Sequence, residues 1–231
     1  LLLFIVMTVL TRKIVLEPLN RMVLEIESIQ LSEDLSIQES SQRKDELGYL
    51  AIQFNNLLNN IQTKSRQLEI LATTDSMTGI LNHKTILEKL EVEISRAVRY
   101  QNNLSVAVID IDYFKQINDR FGHQSGDDVI VTIVNTIKGI IRESDLFGRY
   151  GGDEFLLIFI DQDKEKAKMA MERIYQALKA VRWNCDSMKV TLSSGVAQLT
   201  PEIADVSLMI EAADNCLYKA KENGRNNYVV I

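Results

Sequence analysis

Apolar and polar positions follow two different rhythms along this chain, and the change falls near residue 75. The first ten residues, Leu1-Leu-Leu-Phe-Ile-Val-Met-Thr-Val-Leu10, carry no charge and are followed, after Thr11, by Arg12 and Lys13. As a helix they reach about 15 Å, half of the roughly 30 Å hydrocarbon core of a bilayer. A basic pair directly beyond an apolar run is the flank found on the cytoplasmic side of a membrane, so residues 1–11 are expected to be the end of a transmembrane helix. An apolar helix start packed in a soluble bundle is the alternative. Further on, Leu47, Leu50, Phe54, Leu57, Ile61, Lys64, Leu68 and Leu71 follow one another at alternating spacings of three and four, and seven of the eight are apolar. That is a heptad seam, and it predicts a self-associating coiled coil over an amphipathic helix lying on its own domain. No Pro or Gly interrupts residues 49–77, so one helix of about eight turns is expected there. Leu16, Leu19, Val23 and Ile26 form an earlier seam, and the polar stretch 32–44 separates the two. Two helices joined by a connector that spans their length would run parallel.

From residue 83 the rhythm alternates between helix and strand. Helices are predicted over 83–101, 127–141, 164–181 and 206–222. Strands are predicted over 104–111, 189–198 and 227–231, with a hairpin of 146–150 and 154–160. This mixed order implies a layered α/β domain on one sheet. Nine of the ten glycines lie beyond residue 75, which places the domain boundary near Thr73-Thr74-Asp75.

Composition narrows the function. With 231 residues, 46% hydrophobic and 25% charged, the chain is neither disordered nor a multi-span membrane protein. A net charge of −6 leaves no global positive field to hold a nucleic-acid polymer, so a phosphate ligand must be bound locally. Cys185 and Cys216 form neither a disulfide framework nor a metal-finger spacing, and two thiols suit a reducing compartment.

Glu17-Pro18-Leu19 at the first helix, Asp45-Glu46-Leu47-Gly48 at the second and Phe54-Asn55 beyond it resemble a HAMP module over residues 12–62. The resemblance implies a parallel four-helix dimer relaying signals from membrane helices, with 63–74 as a coiled-coil signalling helix. Proline at a helix start and acids at a helix N-terminus also have plain capping explanations.

Two segments carry chemistry. Leu104 to Ile111 is an apolar strand that reaches Asp110 and then Asp112, and alternation puts Asp110 on the face of Val106 and Val108, where a carboxylate is costly unless something positive meets it. Arg149-Tyr150-Gly151-Gly152-Asp153-Glu154-Phe155 lies between two apolar runs. The plain interpretation is a glycine turn with solvated acids, the glycines supplying positive φ. If the hairpin pairs with the 104–111 strand, Asp153 comes beside Asp110, and two carboxylates at adjacent strand ends suit Mg²⁺ carrying a nucleoside triphosphate.

These residues resemble the GGDEF family of diguanylate cyclases. The resemblance rests on four segments in order: Asp75-Ser-Met-Thr78-Gly79-Ile-Leu-Asn82; Asp110-Ile-Asp112-Tyr-Phe114-Lys115-Gln-Ile-Asn118-Asp119 with Gly122-His123 and Gly126-Asp127; Gly151 to Phe155; and Ala213-Asp214, Leu217-Tyr218, Ala220-Lys221, Gly224-Arg225-Asn226. It implies an α+β, ferredoxin-like domain over 75–231, similar to the palm of nucleotide cyclases and polymerases. The implied reaction joins two GTP into cyclic di-GMP with release of two pyrophosphates, in a homodimer that needs Mg²⁺ or Mn²⁺. Asp110, Asp153 and the carbonyl of Ile111 would hold metal, and Asp153 or Glu154 would assist deprotonation of the ribose hydroxyl. Asn118 and Asp127 would recognise guanine, since a carboxylate accepts from its N1–H and N2–H₂ donors and adenine offers no matching pair. Lys115, Lys221 and Arg225 would neutralise the triphosphate, and main-chain N–H groups around Tyr113 and Phe114 would cradle it. His123 matches the family's histidine, although a lone histidine is more often structural. Lys221 and Arg225 also fit an ordinary basic last helical turn.

Arg142-Glu-Ser-Asp145 matches the family's inhibitory product site, with Arg173 as a further contributor; without the family, a surface salt bridge explains it. His83 stands where the family carries a basic residue such as Arg, and Ser194 where it carries an apolar one. The expected setting is a bacterial inner membrane with the catalytic domain in the cytoplasm. The rival is a catalytically silent receptor for GTP or cyclic di-GMP.

Overall fold

The computed structural model describes residues 1–29, 45–183, 185 and 187–231. It divides into two compact units, Leu1–Ile70 and Leu71–Ile231. In the first, helix α1 (Leu2–Thr11) continues through a wide π-helical turn, Arg12–Leu16, into α2 (Glu17–Ile29). Pro18 cannot donate to the turn before it and its ring crowds that turn, and the widened segment lies just upstream. The side chains of α1 are exposed, and among the described residues no helix is long and apolar enough to cross a membrane. Helix α3 (Glu46–Thr73) is the predicted long helix. It starts where the Asp45 carboxylate accepts from Gly48 N at 3.1 Å, an acid capping a helix start. Met22 of α2 is buried against Ala51 of α3, with Phe54 beside them. The seam residues Leu57, Ile61 and Leu68 stand exposed. The polar connector, and with it the expectation of parallel helices, lies outside the described residues.

Helix α3 ends at Thr73, four residues before the expected end. Thr74 pairs instead with Leu81, and Asp75 accepts from Thr78 N and Thr78 Oγ1 at 2.9 and 2.6 Å, closing a turn. A side chain that binds its own backbone competes with the helix here.

The second unit is one sheet in the order β2-β3-β1-β4-β5. The strands are β1 (Leu104–Ile111), β2 (Leu146–Arg149), β3 (Glu154–Ile160), β4 (Leu192–Gln198) and β5 (Tyr228–Val230). All neighbours are antiparallel except β4 and β5. Helices α4 (His83–Tyr100) and α8 (Val206–Glu222) cover the face of Val106 and Val108. On the other face, under Ala107, Ile109 and Ile111, lie α6 (His123–Lys138) and α7 (Lys164–Lys179). Four strands in the order 2-3-1-4 with two helices on one face form the ferredoxin-like core, to which α4, α8 and β5 are added. Two-sided burial explains why β1 reads as a continuous apolar run.

Two differences from expectation matter. An eight-residue helix, α5 (Phe114–Phe121), precedes α6, and α6 starts at His123 instead of residue 127. Only Ile117 of α5 is buried, so no apolar period announced it. Gly195 lets α8 lie backbone-close to β4, since a Cβ there would collide with Ala213 O and Leu217 N. That approach sets the height of α8 and hence of Lys221.

Candidate functional site

The register of β1 and β3 sets Asp110 opposite Glu154, and Ile111 N donates to Asp153 O at 3.2 Å. Asp110 therefore faces Glu154 directly, with Asp153 one residue before it on the turn. The turn closes because Tyr150 N and Gly151 N both donate to Glu154 O, at 2.9 and 3.0 Å. Neither Gly151 nor Gly152 has a positive φ, contrary to the expected reason for glycine. A Cβ at Gly151 would come 2.7 Å from Glu154 Oε2 and 3.3 Å from its Cβ, so the glycine lets the Glu154 side chain lie close over the turn. Arg149 holds the turn from outside: its Nη2 donates to Gly152 O at 2.6 Å and its Nη1 reaches both Asp75 carboxylate oxygens at 3.2 Å. The sequence did not reveal this staple between residues 74 apart.

Lys221 Nζ lies 2.9 Å from Asp110 Oδ2. Alternation had put Asp110 on the α8 face, and this cation meets it there. Burial nonetheless pushes the Asp110 carboxyl above its ordinary range, and the charges of Asp153 and Asp112 push it further, against the pull of Lys221. Glu154 is raised as well, by burial first and then by Asp110, Asp153 and Asp214. Asp214 of α8 had no assigned role; its carboxyl is itself raised by burial, opposed by Lys221. Among the described residues, no three His, Cys, Asp or Glu side chains form a group that could hold a metal ion. The donors present are the carboxylates of Asp110 and Asp153 with the Ile111 carbonyl. An all-oxygen, partly desolvated set carrying excess negative charge fits Mg²⁺, which takes few protein ligands and fills the rest with water and phosphate.

Next to β1, Tyr113 opens α5 in the left-handed conformation, φ 57°, and Phe114 and Lys115 follow in its first turn. Asn118 Oδ1 is buried without a hydrogen-bond partner. A Cβ on Gly126 would overlap that oxygen and come 3.2 Å from Phe114 Cζ. So α6 comes close to α5 at this point and leaves an unsatisfied amide, the state expected of a group that binds a ligand. Asp127, His123 and Lys115 are exposed around it. Arg225 Cζ lies 4.7 Å from the centroid of the Tyr113 ring.

Other acids have structural duties that the sequence did not disclose. Asp112 is 3% exposed and accepts from Thr191 Oγ1 and Ser193 Oγ at 2.7 Å each and from Asn226 N at 3.0 Å. Asp145 is buried and accepts from Arg142 N, Gln162 Nε2 and Ile160 N at 2.9, 2.8 and 3.3 Å. Its carboxylate braces the start of β2, while Arg142 and Arg173 are exposed. Ser194 bonds to Tyr175 Oη at 3.0 Å, and His83 stacks on Tyr150 with ring centroids 4.9 Å apart. Both departures from the family pattern are thereby accommodated.

The family model described as "Diguanylate cyclase, GGDEF domain" matches residues 72–227. The chain belongs to the GGDEF family. Its GGDEF domain is similar to that of the probable diguanylate cyclase DgcC of Escherichia coli, at 38% identity over 162 residues, which are 70% of this chain and 44% of that protein. The chain thus spans less than half the length of that relative. Among solved structures it resembles the coiled coil and GGDEF domain of DgcB from Caulobacter crescentus in complex with c-di-GMP, with a TM-score of 0.73 and 28% identity over 81% of this chain and all of that one. It also resembles the diguanylate cyclase SiaD of Pseudomonas aeruginosa, solved with its activator SiaC, at a TM-score of 0.67 and 30% identity over 100% of this chain and 89% of that one.

Proposed function

We propose that the chain is a diguanylate cyclase that condenses two GTP into cyclic di-GMP and two pyrophosphates. The observation that carries the proposal is the group of acids Asp110, Asp153 and Glu154 at one end of β1 and β3, with Lys221 bonded to Asp110 and the unsatisfied Asn118 amide on the helix that follows β1. Asp110, Asp153 and the Ile111 carbonyl would hold Mg²⁺ or Mn²⁺, which polarises the α-phosphate and lowers the pKa of the attacking hydroxyl. Asn118 and Asp127 hold the guanine edge. Lys115, Lys221 and Arg225 neutralise the triphosphate. Glu154, its proton affinity raised by burial and by its acidic neighbours, takes the proton of the ribose 3′-hydroxyl. The 3′-oxygen of one GTP bonds to the α-phosphorus of the other as the bond to the bridging oxygen breaks and pyrophosphate leaves. The reciprocal step closes the ring and releases the second pyrophosphate and proton.

Each subunit holds one GTP, so the two half-sites must face each other across a two-fold axis. The exposed seam of α3 suits that pairing, with residues 12–62 acting as a HAMP module and 1–11 ending a transmembrane helix. In this reading the catalytic domain lies on the cytoplasmic side of a bacterial inner membrane, and cyclic di-GMP bound at the exposed Arg142 feeds back on the enzyme, whereas Asp145, buried and bonded to Gln162 and Ile160, braces that segment and does not meet the ligand. The test is stoichiometric: GTP with Mg²⁺ should give two pyrophosphates per cyclic dinucleotide, and ATP should give neither. Equal turnover of ATP would overturn the guanine assignment of Asn118 and Asp127.

A further inference from the structure

We propose that the Tyr113 ring is a positioning residue that holds the Arg225 guanidinium in place for the triphosphate. The inference rests on the proposed cyclase reading of Arg225. The two residues come from segments 112 positions apart, each carried in an unusual backbone conformation. Tyr113 has φ 57°, Arg225 φ 63° and Asn226 φ 51°. Bulky side chains seldom adopt the left-handed region, where Gly or Asn is easier to accommodate. The backbone at residue 113 therefore does not ask for tyrosine; the ring must be useful for something else.

The ring lies against Arg225, whose Cζ is 4.7 Å from the ring centroid, within cation–π range. The phenol is largely solvent-exposed, so the ring is not there to fill a core. A separate set of bonds holds the backbone beneath Arg225. Asn226 N donates to Asp112 Oδ2, Arg225 N to Ala220 O at 3.2 Å, and Asn227 Nδ2 to Ala220 O and Arg225 O at 3.0 and 2.8 Å. These bonds fix where the Arg225 side chain begins, and the ring at 113 limits where it ends. An arginine already confined loses less rotamer freedom when it meets phosphate. Because Tyr113 sits at the start of α5, the confined guanidinium lies beside the helix opening assigned to the phosphates.

The test uses the full chain with Tyr113→Asn, Tyr113→Phe, Arg225→Ala and the double variant Tyr113→Asn/Arg225→Ala. Steady-state kinetics with GTP and Mg²⁺ give kcat and KM, and thermal unfolding reports the fold. Asn relieves the left-handed backbone, so Tyr113→Asn should unfold no earlier than the parent while KM for GTP rises about three- to tenfold, with kcat changed less. Tyr113→Phe should restore the parent KM. Adding Tyr113→Asn to Arg225→Ala should raise KM no further. An additive double variant, or a Tyr113→Asn variant with the parent KM while Arg225→Ala raises it, overturns the proposal. If Arg225→Ala itself leaves KM unchanged, the assignment of Arg225 to the triphosphate fails instead.

Discussion

Replacing Asp112 tests how the site is held together. Its carboxylate joins three separate parts of the fold: Thr191 before β4, Ser193 within β4, and the Asn226 turn that carries Arg225. Asp112→Ala would strand two hydroxyls and one main-chain N–H around a nearly inaccessible position. Hydrogen bonds to a charged group contribute roughly 1.5–3 kcal/mol each, and dismantling a buried charged network costs about 3–5 kcal/mol in all. Asp112→Asn keeps one acceptor oxygen but turns an NH₂ toward donors, for a loss of about 1–3 kcal/mol. At roughly 2–4 °C per kcal/mol for a domain of this size, Ala should lower the midpoint by about 6–20 °C and Asn by a smaller step. Thermal unfolding gives the midpoints and urea unfolding the free energies of both variants in the full chain, each read by circular dichroism and by Trp183 fluorescence. A loss below about 1 kcal/mol for Asp112→Ala would refute the argument that the carboxylate carries this junction. Thr191→Val and Ser193→Ala, which each remove one donor to the carboxylate, should cost about 1.5–3 kcal/mol apiece.

Three further predictions follow from the same geometry. Glu154 and Asp110 have carboxyls raised first by burial and then by neighbouring acids, Asp110 and Asp153 acting on Glu154 and Asp153 and Asp112 on Asp110, so in metal-free protein their contribution to stability is full below the unfolded pKa and is lost as pH rises through the folded value. Glu154→Gln should therefore raise the unfolding midpoint of metal-free protein at pH 7 while abolishing turnover, and should flatten the loss of stability that the parent shows as pH rises above the ordinary carboxylate range. Gly195→Ala should lift α8 from β4, costing about 2–3 kcal/mol in urea unfolding and reducing turnover through the displacement of Lys221. Arg149→Lys cannot reproduce the fork that joins Asp75 to Gly151 and Gly152, so kcat should fall about tenfold with KM for GTP nearly unchanged, and Arg149→Ala should do no better.

Much of the core was legible because its strands are buried on both faces. Alternation in β1 sent Asp110 toward the face that α8 covers, and Lys221 meets it there. What stayed hidden was decided by tertiary contact. Helix α5 buries one residue and gave no apolar period. The end of α3 depends on the Asp75 turn, whose Arg149 partner lies far along the chain. Asp112 and Asp145 look in sequence like acids available to a ligand, yet each is taken up by donors from remote segments. The glycines of the hairpin were expected for their φ, whereas neither has a positive φ and Gly151 lies close under the Glu154 side chain. Residues 1–74 were legible as apolar seams, which state that a partner face exists without naming what covers it.

The proposed role of Asp110 and Asp153 in GTP cyclisation is tested by identifying the products by mass spectrometry. Purified full chain and its Asp153→Ala variant are incubated with GTP and Mg²⁺ at matched concentration, with GTP binding measured in parallel. Cyclic di-GMP is expected from the parent and none from Asp153→Ala. No cyclic dinucleotide from a dimeric parent that binds GTP, or equal product from both proteins, would contradict that role.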